Sequence, residues 1–235
     1  MAVKVARANK IGAEPALFGR MLRRWVIVAA AALLVACSPG TATLAPASDS
    51  ASATPTAPTY AQVLSAIGGA RTVHEVKHAG NLTIDTQADA SGTVAGTFTI
   101  EGMGSLQFFA SGGAFEAVAD AQFVANCGCL QKPTPGVCQT FSPATLVGVG
   151  LSTSDMAVFT PAGLVQGFTT AVPTMTIEGS ATVNGVATYV FKGSGRELYV
   201  PTKGAPLPIR VSRPGVYDTI VEWNVALPTK PASCP

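Results

Sequence analysis

Charge is scarce in this 235-residue chain: Asp, Glu, Lys and Arg make up 12% of it, against 48% hydrophobic residues, and the formal net charge is +2. That combination excludes an intrinsically disordered acidic or basic protein, and a balance so near neutrality gives no electrostatic footing for nucleic acid. Histidine is scarcer still. The two copies, His74 and His78, fall within one short stretch, which leaves little scope for a Ser-His-Asp arrangement. No glycine loop runs into Lys-Ser or Lys-Thr to cradle a phosphate, and no internal repeat is evident. The apolar stretch Trp25 to Ala36 has only 12 residues, too few to cross a hydrocarbon core of ~30 Å as a helix.

The charge that is present is unevenly placed. Residues 1–36 hold six basic groups and one acid, which leaves 9 basic and 12 acidic groups in the rest, net −3. Arg20-Met21-Leu22-Arg23-Arg24 followed by the short apolar stretch reads as the basic and hydrophobic regions of a signal peptide. Its end, Leu34-Val35-Ala36-Cys37, resembles the bacterial lipobox, in which the Cys thiol receives diacylglycerol before cleavage in front of it. Residues 1–36 are therefore expected to be a lipoprotein leader, with Met21 an alternative start, and Cys37 is expected to be lipidated. Each buried CH₂ contributes ~0.8 kcal/mol, so one myristoyl-sized chain holds marginally whereas two or three anchor stably. The expected location is outside the cytoplasm, anchored by lipid to the cell membrane or to an outer membrane. Residues 37–58, rich in Ser, Thr, Ala and Pro with Asp49 as the one charge, cannot bury enough surface to offset their ordering entropy and read as a tether.

Residues 59–235 are long enough for one domain with a sizeable core. Thr59-Tyr60-Ala61-Gln62 has the capping-box pattern, Tyr60, Val63, Leu64 and Ile67 follow at helical spacing, and Gly68-Gly69 closes the run. Alternation then takes over through Leu82 and Ile84, through Val94, Gly96, Phe98 and Ile100, and through Leu106 and Phe108, which predicts an antiparallel meander. Ser142-Pro143 and Thr160-Pro161 each predict a helix start. Met175 and Ile177 resume a strand, and Val183-Asn184-Gly185-Val186 is a two-residue hairpin signal. Three more strands are expected around Leu198-Tyr199-Val200, Ile209-Arg210-Val211 and Val221-Glu222-Trp223. Helix, strands, helices and strands in that order predict an α+β fold with a curved, largely antiparallel sheet on a few short helices. Gly92, Gly96, Gly102 and Gly104 supply the bulges or close approaches that curvature needs.

Two groups of residues raise the question of metal. Val73-His74-Glu75-Val76-Lys77-His78 contains H-E-x-x-H, which on a helix would bind zinc with the Glu as general base. Here the motif follows the Gly68-Gly69 stop and shares strand parity with Leu82 and Ile84. A strand separates i from i+4 by ~13 Å, too far to share one metal. The sequence also offers no third His as ligand. Once Cys37 is set aside, Cys127, Cys129, Cys138 and Cys234 form an even set in an oxidising compartment, and disulfides are expected rather than a thiolate site. A one-residue spacer disfavours a Cys127–Cys129 bond. The expectation is that one of these two bonds Cys138 while the other ties down Cys234.

Leader, tether, first helix, strand meander, helical insertion near residues 143–170 and second strand set together resemble the lipoprotein-carrier half-barrels, the LolA-like fold and especially mycobacterial lipoproteins of the LppX/LprG type. Arg196 to Val211, with Leu207-Pro208-Ile209-Arg210 between two strands, and Val221-Glu222-Trp223-Asn224 carry the resemblance further. It implies a half-barrel with an apolar cavity for lipid or another apolar ligand, no cofactor and no enzymatic activity, and a membrane as partner through the anchor. Phe98, Ile100, Leu106, Phe108, Leu164 and Phe168 are the candidates to line that cavity. The same residues would serve equally to fill a core, since periodicity does not distinguish hollow from packed. The alternatives are an envelope scaffold or sensor with a filled core and a protein partner, and a zinc hydrolase built on the H-E-x-x-H motif.

Overall fold

A computed structural model describes residues 56–127, 133–142 and 153–235. The leader, Cys37, most of the tether, Cys129 and the helix expected after Pro143 lie outside the described residues. Helix α1 (Tyr60–Gly68) starts as expected: the Thr59 side chain accepts from the Gln62 backbone N–H, and the Gln62 side chain accepts from the Thr59 N–H. Its buried face is Val63 and Ile67.

Eleven strands then form one sheet. The first half is a meander of β1 (Thr72–Ala79), β2 (Leu82–Asp89), β3 (Val94–Ile100), β4 (Gly104–Ser111), β5 (Ala114–Ala119) and a short β6 (Gln139–Phe141). Between β5 and β6 lies the six-residue helix α2 (Ala121–Asn126). A 3₁₀ segment (Thr153–Phe159) and helix α3 (Pro161–Ala171) follow, the latter capped by Thr160 with Pro161 in its first turn, as the sequence predicts. The second half is β7 (Thr176–Val183), β8 (Val186–Gly193), β9 (Arg196–Pro201), β10 (Arg210–Arg213) and β11 (Tyr217–Trp223). The β7–β8 turn has Asn184 and Gly185 at φ 49° and 81°, the left-handed pair that a tight hairpin requires.

The strand order is β6-β5-β4-β3-β2-β1-β11-β10-β9-β8-β7. Every pairing is antiparallel and the sheet does not close, so the architecture is the expected α+β half-barrel. Its two meanders meet at one ladder, β1 with β11, in which Val73 faces Trp223 and Lys77 faces Thr219. Side chains two apart share a face, and the register carries that face across the sheet. The inner face holds Val73, Ala88, Val94, Phe108, Phe115, Val221, Leu198 and Phe191, and α1 and α3 lay Val63, Ile67 and Phe168 upon it to make the core. Gly96 makes room there, since a Cβ at that position would lie 2.9 Å from the Phe108 ring and 2.5 Å from the Asp85 carbonyl oxygen.

Chain after β11 is fastened to the first half of the sheet. Lys230 pairs with Glu116 at 3.0 Å, and Cys138 is bonded to Cys234. This corrects the pairing expected from the sequence, which joined Cys138 to Cys127 or Cys129. Cys127 is also disulfide-bonded. A short closed loop looked favourable on spacing alone, but the C-terminal segment brings Cys234 to β6, and spacing carries no information on that return. In the chain-entropy picture, closing a loop over a sequence separation of 96 contributes on the order of 4–5 kcal/mol.

Gly104 gives the sharpest test of this packing. Its φ is +101°, and an added Cβ would meet the Phe123 amide and lie 2.5 Å from the Asp120 carboxylate. That carboxylate caps α2 through the Phe123 N–H at 2.6 Å and accepts from the Ser105 N–H and hydroxyl, each at 2.7 Å. Gly104→Ala should lower unfolding stability by more than about 2 kcal/mol in urea titration. Gly113→Ala, also at positive φ but facing open space, should cost about 1 kcal/mol.

Candidate functional site

The H-E-x-x-H residues lie on β1, so they alternate between faces. His74 and His78 share the outer face, ~13 Å apart along the strand, and Glu75 points to the inner one. Each ring nitrogen of His74 is engaged separately, Nδ1 with Glu222 and Nε2 with Asp85, both at 2.9 Å. Burial disfavours the charged imidazole, but the hydrogen bonds to Glu222 and Asp85 and their charges outweigh it, and the pKa is raised. The motif is thus a cross-strand clamp of β11, β1 and β2, and the strand geometry prevents its histidines from sharing a zinc ion.

Among the described residues, one cluster of metal-ligand types is compact: Glu116, Cys138 and Cys234. Its two sulfurs are bonded to each other, so it offers no thiolate.

Four of the six cavity candidates, Phe98, Ile100, Leu106 and Phe108, lie along the inner face of the sheet, and Leu164 and Phe168 lie on α3, which packs over it. Phe108 is fully buried and Phe168 nearly so. Phe98 stacks on Phe108 with centroids 4.7 Å apart, and Phe108 stacks on Phe115 at 5.9 Å. Leu106 and Leu164 are partly buried and pack against the same core. Ile100 keeps part of its surface in solvent at the end of β3. Leu82 and Ile84 on β2, paired with Ile100 and Phe98, are likewise half-buried. The inner face therefore passes from a packed centre to a partly open apolar slope near the β1–β2 turn.

A charged corner adjoins that slope. On the inner-face positions of β1–β5 and β8–β11, the charged residues are Glu75, Lys77, Arg196 and Arg213. The Lys77 ammonium sits 4.3 Å from the centroid of the Tyr217 ring. Burial lowers its pKa, Glu75 opposes that shift, and Arg196 adds to it. Burial pushes the Glu75 carboxyl up to about 7, against the pull of Lys77 and His74. Tyr60, whose hydroxyl donates to the Val172 carbonyl at 3.0 Å, is raised to about 12 by burial, with Arg196 opposing. The sequence reading missed this corner because each charge lies alone within its own strand. Alternation placed Glu75 and Lys77 on one face, but only the register brings Arg196 and Arg213 to it.

Two depressions open on the outer face instead. One, of about 410 Å³, is lined by His78, Glu197, Tyr199, Arg210, Ser212 and Asp218 among others. Its charges are paired with one another or with neighbours. Arg210 meets Asp218 at 2.8 Å, Lys192 meets Glu197 at 3.0 Å, and the Tyr199 hydroxyl donates to Glu197 at 2.6 Å. The other, of about 230 Å³, lies between β2–β4 and the C-terminal segment at Thr229, Lys230 and Pro231.

No protein-family model matches the sequence, and no curated protein matches it. Among solved structures, LprF from Mycobacterium bovis superposes with a TM-score of 0.50 at 15% identity, covering 74% of this chain and 94% of LprF. Two further structures resemble the chain less. The MucA/MucB complex of Pseudomonas aeruginosa does so at a TM-score of 0.32, 11% identity and coverage of 72% and 57%. A DUF1329 family protein from Desulfovibrio piger gives a TM-score of 0.25 and 14% identity, with coverage of 72% and 92%. The chain has the half-barrel fold of LprF, as the LolA-like and LppX/LprG resemblance led one to expect.

Two of the three perturbed groups on β1, His74 and Glu75, tie stability to pH in the same direction, whereas Lys77, whose pKa burial lowers, acts oppositely as pH rises towards its unfolded value. Glu75 takes up a proton on folding between its unfolded pKa near 4.3 and its folded value of about 7, so stability falls as pH rises through that window. The raised pKa of His74 contributes stability that is fully present below ~6.5 and lost as pH rises through its higher folded value. Denaturation midpoints should therefore decline from pH 5 to pH 8. Glu75→Gln should remove the part of the decline below pH 7, gaining on the order of 1–3 kcal/mol over the parent at pH 8. His74→Gln should remove the part that sets in as pH rises past ~6.5.

Proposed function

We propose that this chain is an exported lipoprotein, anchored through Cys37, that binds or carries a lipid or other apolar ligand between the inner face of the half-barrel and its helices. In this reading residues 1–36 are the leader, 37–58 the tether and 59–235 the binding domain. The observation that carries it is the half-buried apolar slope of Leu82, Ile84, Phe98 and Ile100, which adjoins the core but is not sealed into it. A sheet face finished only for packing would bury these residues as completely as Val94 and Phe108. The fold shared with LprF supports the reading. Catalysis forms no part of it, because the H-E-x-x-H motif is a strand clamp and no nucleophile with a base accompanies it among the described residues.

A scaffold or sensor role with a protein partner is the second reading. The stacked Phe98, Phe108 and Phe115 rings favour it, since they fill the centre of the inner face.

Two measurements test the proposal. Labelled palmitate should enter the parent chain and not Cys37→Ala, and the variant should leave the membrane fraction. The Cys37→Ala protein, purified without detergent, should release acyl lipid in native mass spectrometry. Ile84→Trp and Ile100→Trp should lower its occupancy several-fold while keeping the melting temperature within a few degrees, because both positions are already partly exposed. Consistently ligand-free protein would support the scaffold reading.

A further inference from the structure

The outer and inner faces treat their charges differently. Outside, Arg210, Lys192, Lys230 and His74 each meet a carboxylate within 3.1 Å. Inside, the side chains of Arg196, Arg213 and Glu75 make no hydrogen bond or ion pair among the described residues, and Lys77 lies over the Tyr217 ring and feels the Glu75 charge without pairing with it. The arrangement is also self-opposed. The β9–β10 ladder ends with Glu197 facing Ser212, Arg196 and Arg213 follow at the adjoining strand ends on the opposite face, Arg213 faces Tyr217, and Arg196 works against the charge on Lys77. Like charges gathered on one sheet face repel one another. Half-buried guanidinium groups with no protein acceptor keep their donors available to a ligand. Packing gives no reason for this corner, and an anion would supply what it lacks.

We propose that Lys77, Arg196 and Arg213 receive the phosphate of an amphiphile whose acyl chains lie along Ile84, Phe98 and Ile100. The inference rests on the apolar-ligand reading above and deepens it by naming the ligand's head. Three cations against one carboxyl set the sign of the group. Two guanidinium forks and an ammonium present more donors than one carboxylate can accept, whereas phosphate oxygens can serve them together. Glu75, deeper on the same strand, donates its carboxyl proton to a phosphate oxygen when neutral, as its burial favours. The slope supplies the other half of the match: Lys77 faces Ile84 across β1 and β2, and Ile84 faces Phe98 across β2 and β3. Phosphate and chains are thereby received on one continuous face.

The test compares two probes with identical chains. The full-length Cys37→Ala protein is titrated with pyrene-labelled dioleoyl phosphatidate and with the matching dioleoylglycerol, each presented in neutral mixed micelles. Phosphatidate should bind at least tenfold more tightly. Arg196→Gln and Arg213→Gln should each reduce phosphatidate binding several-fold, and together bring it to the dioleoylglycerol level, with dioleoylglycerol binding unchanged. Unchanged dioleoylglycerol binding also reports an intact fold. Lys203→Gln, at an exposed loop position, should change neither. Equal affinity for the two probes in the parent protein overturns the phosphate site and leaves the apolar-ligand reading standing. Loss of discrimination in Lys203→Gln as large as in the arginine variants overturns it in favour of general adsorption. Inorganic phosphate bound as tightly as phosphatidate would overturn the amphiphile in favour of a free anion. Failure of both lipid probes to bind overturns both readings together.

Discussion

The ladder between β1 and β11 is the constraint on which the rest of this structure depends. It is the single junction between the two meanders, and it joins the first strand of the described domain to the last. Without it each half would end in an unpaired strand beside an apolar face, a template for association with other chains. Local bonds secure the junction: the Arg71 amide donates to Asn224, the Thr72 hydroxyl to the Val225 carbonyl, and His74 bridges to Glu222. Closing contacts of such long range before they are rewarded is entropically expensive, which places the fold among slow-forming topologies. The Cys138–Cys234 bond acts on the same difficulty from the other side, since it holds the C-terminal segment against β6, the far edge of the first meander.

The seam also explains which parts of the fold are legible in the sequence. Local signals were reliable: the Thr59 and Thr160 caps, the Asn184-Gly185 hairpin and the alternation of Val94, Gly96, Phe98 and Ile100 each depend on neighbours a few residues away. They suffice for the element types and for an antiparallel half-barrel. Cys138 and Cys234 depend instead on where the chain returns, so spacing misassigned them. The short strands β5 and β6 were also not foreseen. Ala114–Ala119 lacks clear alternation because Ala and Val occur on the outer face as well, beside Glu116, and the three residues of β6 are too few to show a period.

The candidate site was legible in its apolar part and not in its polar part, for a related reason. Phe98, Ile100, Leu106 and Phe108 lie on adjacent strands and reveal their face by parity alone. Glu75, Lys77, Arg196 and Arg213 come from β1, β9 and β10 and become neighbours only once the seam has formed. Single charges within strands read as solvated positions, and on the outer face most of them are partnered. The register turns these four inward instead.

Inward charges of this kind weaken the very junction that assembles them. Glu75 and Lys77 lie on β1 beside Val221 and Thr219 of β11, and burial opposes the charged form of each. An apolar pair at these positions would leave the inner face continuous and the seam more stable. Sequences that specify one structure depart from internal consistency mainly where function requires it. The departure here is local: Lys77, Arg196 and Arg213 lie towards one end of the half-barrel beside the half-buried slope, and Glu75 stands one step in, level with Phe108 across the sheet. A domain that only had to fold gains nothing from cations at the open end of an apolar face. A domain that holds an amphiphile with an acidic head needs that asymmetry, with greasy surface on one side of the seam and donors on the other. On the proposed reading, bound ligand would stabilise β1 against β11 by neutralising Arg196 and Arg213, so occupancy and closure of the half-barrel would be linked through the same strands.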